Sequence, residues 1–256
     1  MARVCAVVPV YNHEHAIAGI VGELRRCALT VYLVDDGSRA SCAEVLDRLA
    51  AVDPEVRVVR LAHNQGKGAA VLAGMRAAAR EGCTHALQID ADGQHQVDDV
   101  PRFLAVATAD PAAVVCGAPQ FDDSMPRSRR YLRYLTHVMV WVNTLSFGIR
   151  DSMCGFRVYP LAQVLPVIES EVPGRRMDFD VEALVRLHWR GVPLRWLPTP
   201  VSYPAGGVSH FRLLQDNVLI TRMHTRLFFG MLRRLPRIVA RRTGMRVLQP
   251  TTRVPT

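Results

Sequence analysis

The chain has 256 residues, 49% hydrophobic and 21% charged, the make-up of an ordinary globular protein and enough for one large domain or two small ones. Its six cysteines, at 5, 27, 42, 83, 116 and 154, form no Cys-x-x-Cys pair and do not cluster with histidines, which argues against zinc and against a disulfide framework. The formal charge of +9 belongs to the tail: residues 211–256 hold ten arginines and one aspartate, whereas residues 1–210 balance at 22 bases and 22 acids. A neutral body speaks against nucleic acid as a partner, and a basic tail points to an anionic surface.

Residues 4–10 form a nearly unbroken apolar run, as expected of a strand covered on both faces. The run is too short for a signal peptide, and Pro9 interrupts it. A helix with Ile17, Ile20, Val21 and Leu24 on one face follows. Residues 31–34 read as a second buried strand, closed by Asp35-Asp-Gly-Ser38. A helix over 40–51 carries Val45, Leu46 and Leu49 and stops at Asp53-Pro54. Residues 56–61 are a third strand, and Asn64-Gln-Gly-Lys-Gly68 opens an alanine-rich helix ending at Gly82. Ala86, Leu87 and Ile89 mark a strand that ends where Asp90-Ala-Asp92 begins. A helix with Val100, Phe103, Leu104 and Val106 leads to a fifth strand over 112–117.

This alternation predicts an α/β protein with a doubly wound, mostly parallel sheet and flanking helices. Residues 119–130 are then a polar, arginine-bearing loop. Helices are expected over 132–145 and 178–190, a strand over 192–197, and a glycine-bearing loop over 203–210. No stretch reaches membrane-spanning length; the best, 138–149, is short and contains Asn143. A cytoplasmic, reduced protein is expected, divided into a body of residues 1–210 and a basic extension of residues 211–256.

Four polar or glycine-bearing loops thus fall at strand ends of one sheet, where open α/β sheets bind ligands. Asp90 and Asp92, close together beside a dry core, would repel each other unless something positive lies between them. A hard divalent cation with oxygen ligands, Mg²⁺ or Mn²⁺, answers that need and would also carry a substrate's phosphates. The competing reading is a solvated acidic turn, Asp-Gly being a common turn pair.

Val8-Pro-Val-Tyr-Asn12, Val34-Asp-Asp-Gly-Ser38, Asn64-x-Gly-x-Gly68, Asp90-Ala-Asp-Gly-Gln94, Asp151-x-x-Cys-Gly-Phe-Arg157, Phe179-Asp-Val-Glu182 and Gly207-Val-Ser-His210 occur in this order. Over residues 4–212 this pattern resembles family 2 glycosyltransferases of the GT-A fold, and among them the dolichol-phosphate mannosyltransferase-like enzymes. The resemblance implies that Pro9, Tyr11 and Asn12 line the base pocket, with Asp36 on the base or ribose. It implies that Asp90 and Asp92 hold a nucleotide-sugar's diphosphate through the metal, that Gln94 orders that loop, and that Arg157 meets phosphate. Three places depart from the pattern. Ala118-Pro-Gln120 stands where Ser-Arg is frequent, with Arg127, Arg129, Arg130 and Arg133 nearby as substitute charge. His210 replaces a frequent lysine, and His13 a frequent glutamate, with Glu14 next to it.

Sugar transfer from such a donor would invert the anomeric centre, as the family does. A hydroxyl acceptor needs a general base, for which Asp180 is the first candidate and Asp178 the second; both also suit a helix N-terminus. A polyprenyl-phosphate or other lipid phosphate is already anionic and needs none. Lys67 reads as a solvated residue at a helix start, and His13, His15, His63, His85 and His95 as surface residues. Rival readings are a sugar-phosphate nucleotidyltransferase and a non-catalytic nucleotide-sugar-binding protein. A dinucleotide oxidoreductase is disfavoured, because Gly-x-Gly-x-x-Gly is missing after the first strand.

In the tail, Ile220, Met223, Leu227, Met231 and Leu235 recur at helical spacing, widened by Phe228, Phe229 and Leu232 and flanked by Arg222, Arg226, Arg233 and Arg234. Such an amphipathic helix lies in a membrane interface or packs on the protein's own body. The first alternative makes the protein peripheral on the inner face of the cytoplasmic membrane. Pro236 is expected to end or kink the helix.

Overall fold

The computed structural model describes residues 2–121, 127–201 and 213–242. Among these, seven strands form one sheet: β1 (Val4–Val10), β2 (Thr30–Asp35), β3 (Val56–Arg60), β4 (His85–Gln88), β5 (Val114–Phe121), β6 (Arg157–Pro160) and β7 (Leu194–Val201), in the order β3-β2-β1-β4-β6-β5-β7. The helices are α1 (Ile17–Arg26), α2 (Ala40–Val52), α3 (Lys67–Arg80), α4 (Val100–Ala109), α5 (Arg127–Thr144), α6 (Leu161–Glu171), α7 (Phe179–Arg190) and α8 (Leu213–Arg242).

β1 to β4 run parallel, and β5 pairs β7 in parallel; β6 lies between β4 and β5, antiparallel to both. Side chains alternate across β1, so both faces are apolar. Cys5 and Val7 join Ala70, Val71 and Met75 of α3 and Leu184 of α7 in one core cluster. Ala6, Val8 and Val10 join Ile17 and Leu24 of α1 and Phe103 of α4 in the other. Five of the six cysteines are buried, and all six are free thiols, in keeping with small core residues.

β6 and α6 escape the sequence reading, because a four-residue strand with a charged residue at its head and a proline at its end carries no period. β7 continues to Val201, beyond the expected end. α8 runs through Pro236 to Arg242 rather than ending there. Pro236 lies on the exposed side of the helix, where the carbonyl left without a partner can be solvated.

The tail stripe packs on the body. Met223, Leu227 and Met231 are buried in the same cluster as β1 and α7, with Ile220 against it, whereas Leu235 is exposed. The proposed boundary after residue 210 and the 203–210 loop lie outside the described residues; α8 itself is part of the core. Among the described residues no helix is long and apolar enough to cross a membrane.

Candidate active site

The expected loops meet at the carboxyl edge of β1, β2 and β4. Pro9, Tyr11 and Asn12 are half-buried at the end of β1. Asn12 takes a left-handed φ of 56°; its amide donates to Ser38 Oγ at 3.2 Å, and its Oδ1 accepts from the Arg39 amide at 2.8 Å. Asp35 Oδ1 accepts from the Ser38 amide at 2.9 Å. Asp36 was expected at the donor's base or ribose. It is buried, and its two oxygens accept the amides of Gln65 at 2.7 Å and Gly66 at 2.9 Å. Burial pushes its carboxyl up against the pull of those amides. Asp36 therefore braces the glycine loop, holding Gly66 at φ 100°, where a Cβ would lie 2.5 Å from the Arg175 carbonyl oxygen.

The positive group at Asp90 is Lys67, which lies between Asp90 and Asp180 rather than between Asp90 and Asp92, and is mostly buried rather than solvated. Its ammonium lies 2.8 Å from both oxygens of Asp90 and 2.7 Å from Asp180 Oδ2. The other oxygen of Asp180 accepts from Gln88 Nε2 at 2.9 Å. Burial opposes the charge on Lys67, but Asp180 and Asp90 outweigh it and raise its pKa. Burial likewise opposes ionisation of Asp90, yet Lys67 and His95 hold its carboxyl well below the usual range. Asp92 is pushed up, by burial first and then by Asp90.

Gln94 orders the loop through its backbone, donating to Asp92 Oδ1 at 3.1 Å. His95 is not a surface residue: its ring stacks on Phe156 with centroids 5.5 Å apart, and its Nε2 lies 3.8 Å from Asp90 Oδ2. His85 is also buried, on Thr84 and the Pro111 carbonyl. The Asp151–Arg157 segment passes close against the site at Gly155. A Cβ on Gly155 would meet Asp90 Oδ2 at 2.7 Å and Lys67 Nζ at 2.8 Å, so only glycine lets the backbone pass there.

A divalent cation fits this donor set when the substrate supplies ligands. Asp90 Oδ1 is buried and, although the Lys67 ammonium lies 2.8 Å away, it accepts no hydrogen bond of good geometry, and Asp92 is half-buried beside it. Among the described residues no group of three or more His, Cys, Asp or Glu side chains is placed to hold a metal ion. Two carboxylates completed by phosphate oxygens is the habit of Mg²⁺ and Mn²⁺.

Three expected residues have other work. Arg157 is fully buried, donating to Tyr159 Oη at 3.0 Å and to the carbonyls of Asp180 at 2.8 Å and Ser152 at 2.7 Å. It ties β6 to α7 and to Ser152 through its two terminal nitrogens, while its buried Nε has no hydrogen-bond partner among the described residues. Asp180 is no free base, since Lys67 and Gln88 occupy both its oxygens. Asp178 is buried too, accepting from the Arg176 amide at 3.2 Å and facing Arg226 at 3.4 Å. Arg133 pairs with Asp151, and the side chains of Arg127 and Arg129 lie outside the described residues.

The profile of Glycosyl transferase family 2 matches residues 5–165, and the chain belongs to that family. It is a glycosyltransferase with the GT-A fold. It is 30% identical to an undecaprenyl-phosphate mannosyltransferase of Micrococcus luteus over 187 residues, covering 69% of this chain and 75% of that one. It is 28% identical to a polyprenol monophosphomannose synthase of Mycolicibacterium smegmatis, covering 74% and 72%. The fold superposes on glucosyl-3-phosphoglycerate synthase from Mycobacterium tuberculosis, solved with Mn²⁺ and UDP-glucose, with a TM-score of 0.62 and 13% identity over 96% of this chain and 81% of that chain.

Sequence reasoning missed Lys67, Gln88 and Arg226. For Lys67 a signal existed: it is the one lysine among thirty-one arginines.

Proposed function

We propose that the protein transfers a sugar from a nucleotide-diphosphate donor to a polyprenyl-phosphate or similar lipid-phosphate acceptor, with inversion and with Mg²⁺ or Mn²⁺ at Asp90 and Asp92. One observation carries the choice of acceptor. The best-placed base, Asp180, is held on both oxygens, which suits an acceptor that arrives already anionic. The names of the mannosyl-transferring relatives support the same class.

Pro9, Tyr11 and Asn12 would line the base pocket, with Asp36 and the Gln65 and Gly66 amides fixing the loop beside it. A bound divalent cation would offset the charge growing on the diphosphate leaving group. Asp90 and Asp92 would hold that cation, Gln94 would keep Asp92 turned toward it through the loop amide, and Gly155 would keep water from Asp90.

Access to a lipid acceptor requires a membrane face. α8 exposes Phe228, Phe229, Leu232, Leu235 and Val239, and α5 exposes Tyr131, Tyr134 and Leu135. Arg222, Arg233 and Arg237 are exposed beside the α8 residues. Apolar side chains amid arginines suit an anionic lipid surface, so a peripheral place on the cytoplasmic membrane is the reading of this face.

The test offers purified protein a panel of radiolabelled UDP- and GDP-sugars with undecaprenyl phosphate in vesicles, with and without Mg²⁺ or Mn²⁺. Label from one donor should enter the lipid fraction only when metal is present, and the Asp92→Asn protein should be inert. Metal-independent transfer, or transfer to hydroxyl acceptors alone, would overturn the reading.

A further inference from the structure

Every base in this chain but one is arginine, and the exception stands at the metal carboxylates. Lys67 opens α3, where its side chain is largely covered. The space around Nζ explains the choice of residue. Backbone at Gly155 leaves no room for an added Cβ, which would lie 2.8 Å from the ammonium, and a Cβ on the adjoining Gly68 would lie 2.5 Å from Phe179 Cβ. A compact ammonium on a flexible stem reaches both carboxylates in that tight space. The ammonium is shared between Asp90 on the donor side and Asp180 on α7.

We propose that Lys67 is a built-in counter-cation that tunes the metal site through Asp90. This rests on the metal-dependent reading above and deepens it. A unit positive charge 2.8 Å from Asp90 competes with a free divalent ion for that carboxylate. The described residues supply no third metal-binding side chain to offset the competition. A nucleoside diphosphate brings both oxygens and negative charge, so the ion is retained with the nucleotide and poorly without it. Asp180 is the other half of the device. At 2.7 Å from the ammonium, it shares the positive charge that Asp90 would otherwise hold alone. Lys67 is thus a positioning residue, acting on the metal through Asp90.

Mn²⁺ titrations followed by the EPR signal of the free aqueous ion test this without any turnover. Wild-type protein should bind Mn²⁺ weakly, and addition of UDP or GDP should tighten binding about tenfold or more. Lys67→Met should bind Mn²⁺ alone about tenfold or more tighter than wild type. Asp180→Asn should bind it more weakly, because the ammonium then falls wholly to Asp90. Two substitutions in one ion pair that act only on packing would shift affinity the same way, so opposite signs distinguish the tuning role. Equal signs, or no shift in either, would overturn the proposal. If Lys67→Met does not fold, the double variant Lys67→Met/Asp180→Asn, with the site charge of the wild type, takes its place. It should bind Mn²⁺ more tightly than wild type, and equal or weaker binding would overturn the proposal. Wild-type protein that retains no Mn²⁺ even with UDP and GDP would overturn the metal reading itself. Retention with nucleotide that ignores Lys67 would overturn this inference alone.

Discussion

Arg226 of α8 donates to Oε2 of Glu182 on α7 at 2.7 Å, and the side chain of Glu182 is fully buried. Glu182 also accepts from Arg186 at 2.5 Å and from the Gly174 amide at 2.9 Å. Burial opposes its ionisation, but the two guanidiniums outweigh it and lower its pKa. Glu182→Ala should therefore cost about 3–5 kcal/mol, by stranding Arg186 and an amide. Arg226→Ala, at a half-exposed position, should cost about 1 kcal/mol or less. Urea denaturation of both variants checks the ratio; equal effects would contradict this division.

His224 is buried on α8, with Nδ1 3.1 Å from Nδ2 of Asn143 and the Glu182 carboxylate near enough to oppose the effect of burial. Burial takes its pKa down from 6.5 to about 4. The folded protein therefore holds His224 neutral where the unfolded chain already takes up a proton. Stability should fall progressively as pH drops from 6.5 to 4, by on the order of 3 kcal/mol over the whole window. Melting temperature against pH should show this loss in wild type and a flatter profile in His224→Asn. Identical slopes would remove His224 as the cause.

Gly155→Ala should damage the site without removing a charge. The new Cβ would press on Asp90 and Lys67, and the Mn²⁺ affinity measured with UDP or GDP should fall while α-helical circular dichroism stays unchanged. An alanine variant with wild-type nucleotide-dependent Mn²⁺ binding would show that the segment yields.

Co-sedimentation with vesicles addresses the α5–α8 face. The full chain should pellet with anionic vesicles at low salt and release as salt rises. Phe229→Asp combined with Tyr134→Asp, both at exposed positions, should lower pelleting without lowering the melting temperature. Unchanged pelleting of that variant would move the contact elsewhere.

The first half of the fold was legible because each strand there is a short apolar run closed by a turn signal, as in residues 31–38. β6 was not, since its pairing joins residues far apart in sequence, such as Leu87 and Val158. Asp90 and Asp92 were read as a pair in need of a positive neighbour, and the structure places Lys67 against Asp90. The sequence could not say that a lysine 23 residues earlier supplies one at Asp90, because periodicity is silent on which loop folds over which. The same silence hid the partners of Arg157 and Asp180. The tail stripe was read as one apolar face, but Met223, Leu227 and Met231 are buried on the body while Leu235, Phe228, Phe229 and Leu232 are exposed, and spacing alone does not choose the cover of either set.

The antiparallel insertion of β6 also bears on the order of assembly. As the chain leaves the ribosome, β1 to β4 can pair at once, since each neighbour is already made. β5 is synthesised next, yet it cannot close the edge of β4, because that place belongs to a strand ending at Pro160. Until then β4 presents an unpaired edge next to the nascent carboxylate loop, the kind of edge that recruits other chains. Fragments that stop between residues 121 and 157 should therefore aggregate where the full chain does not.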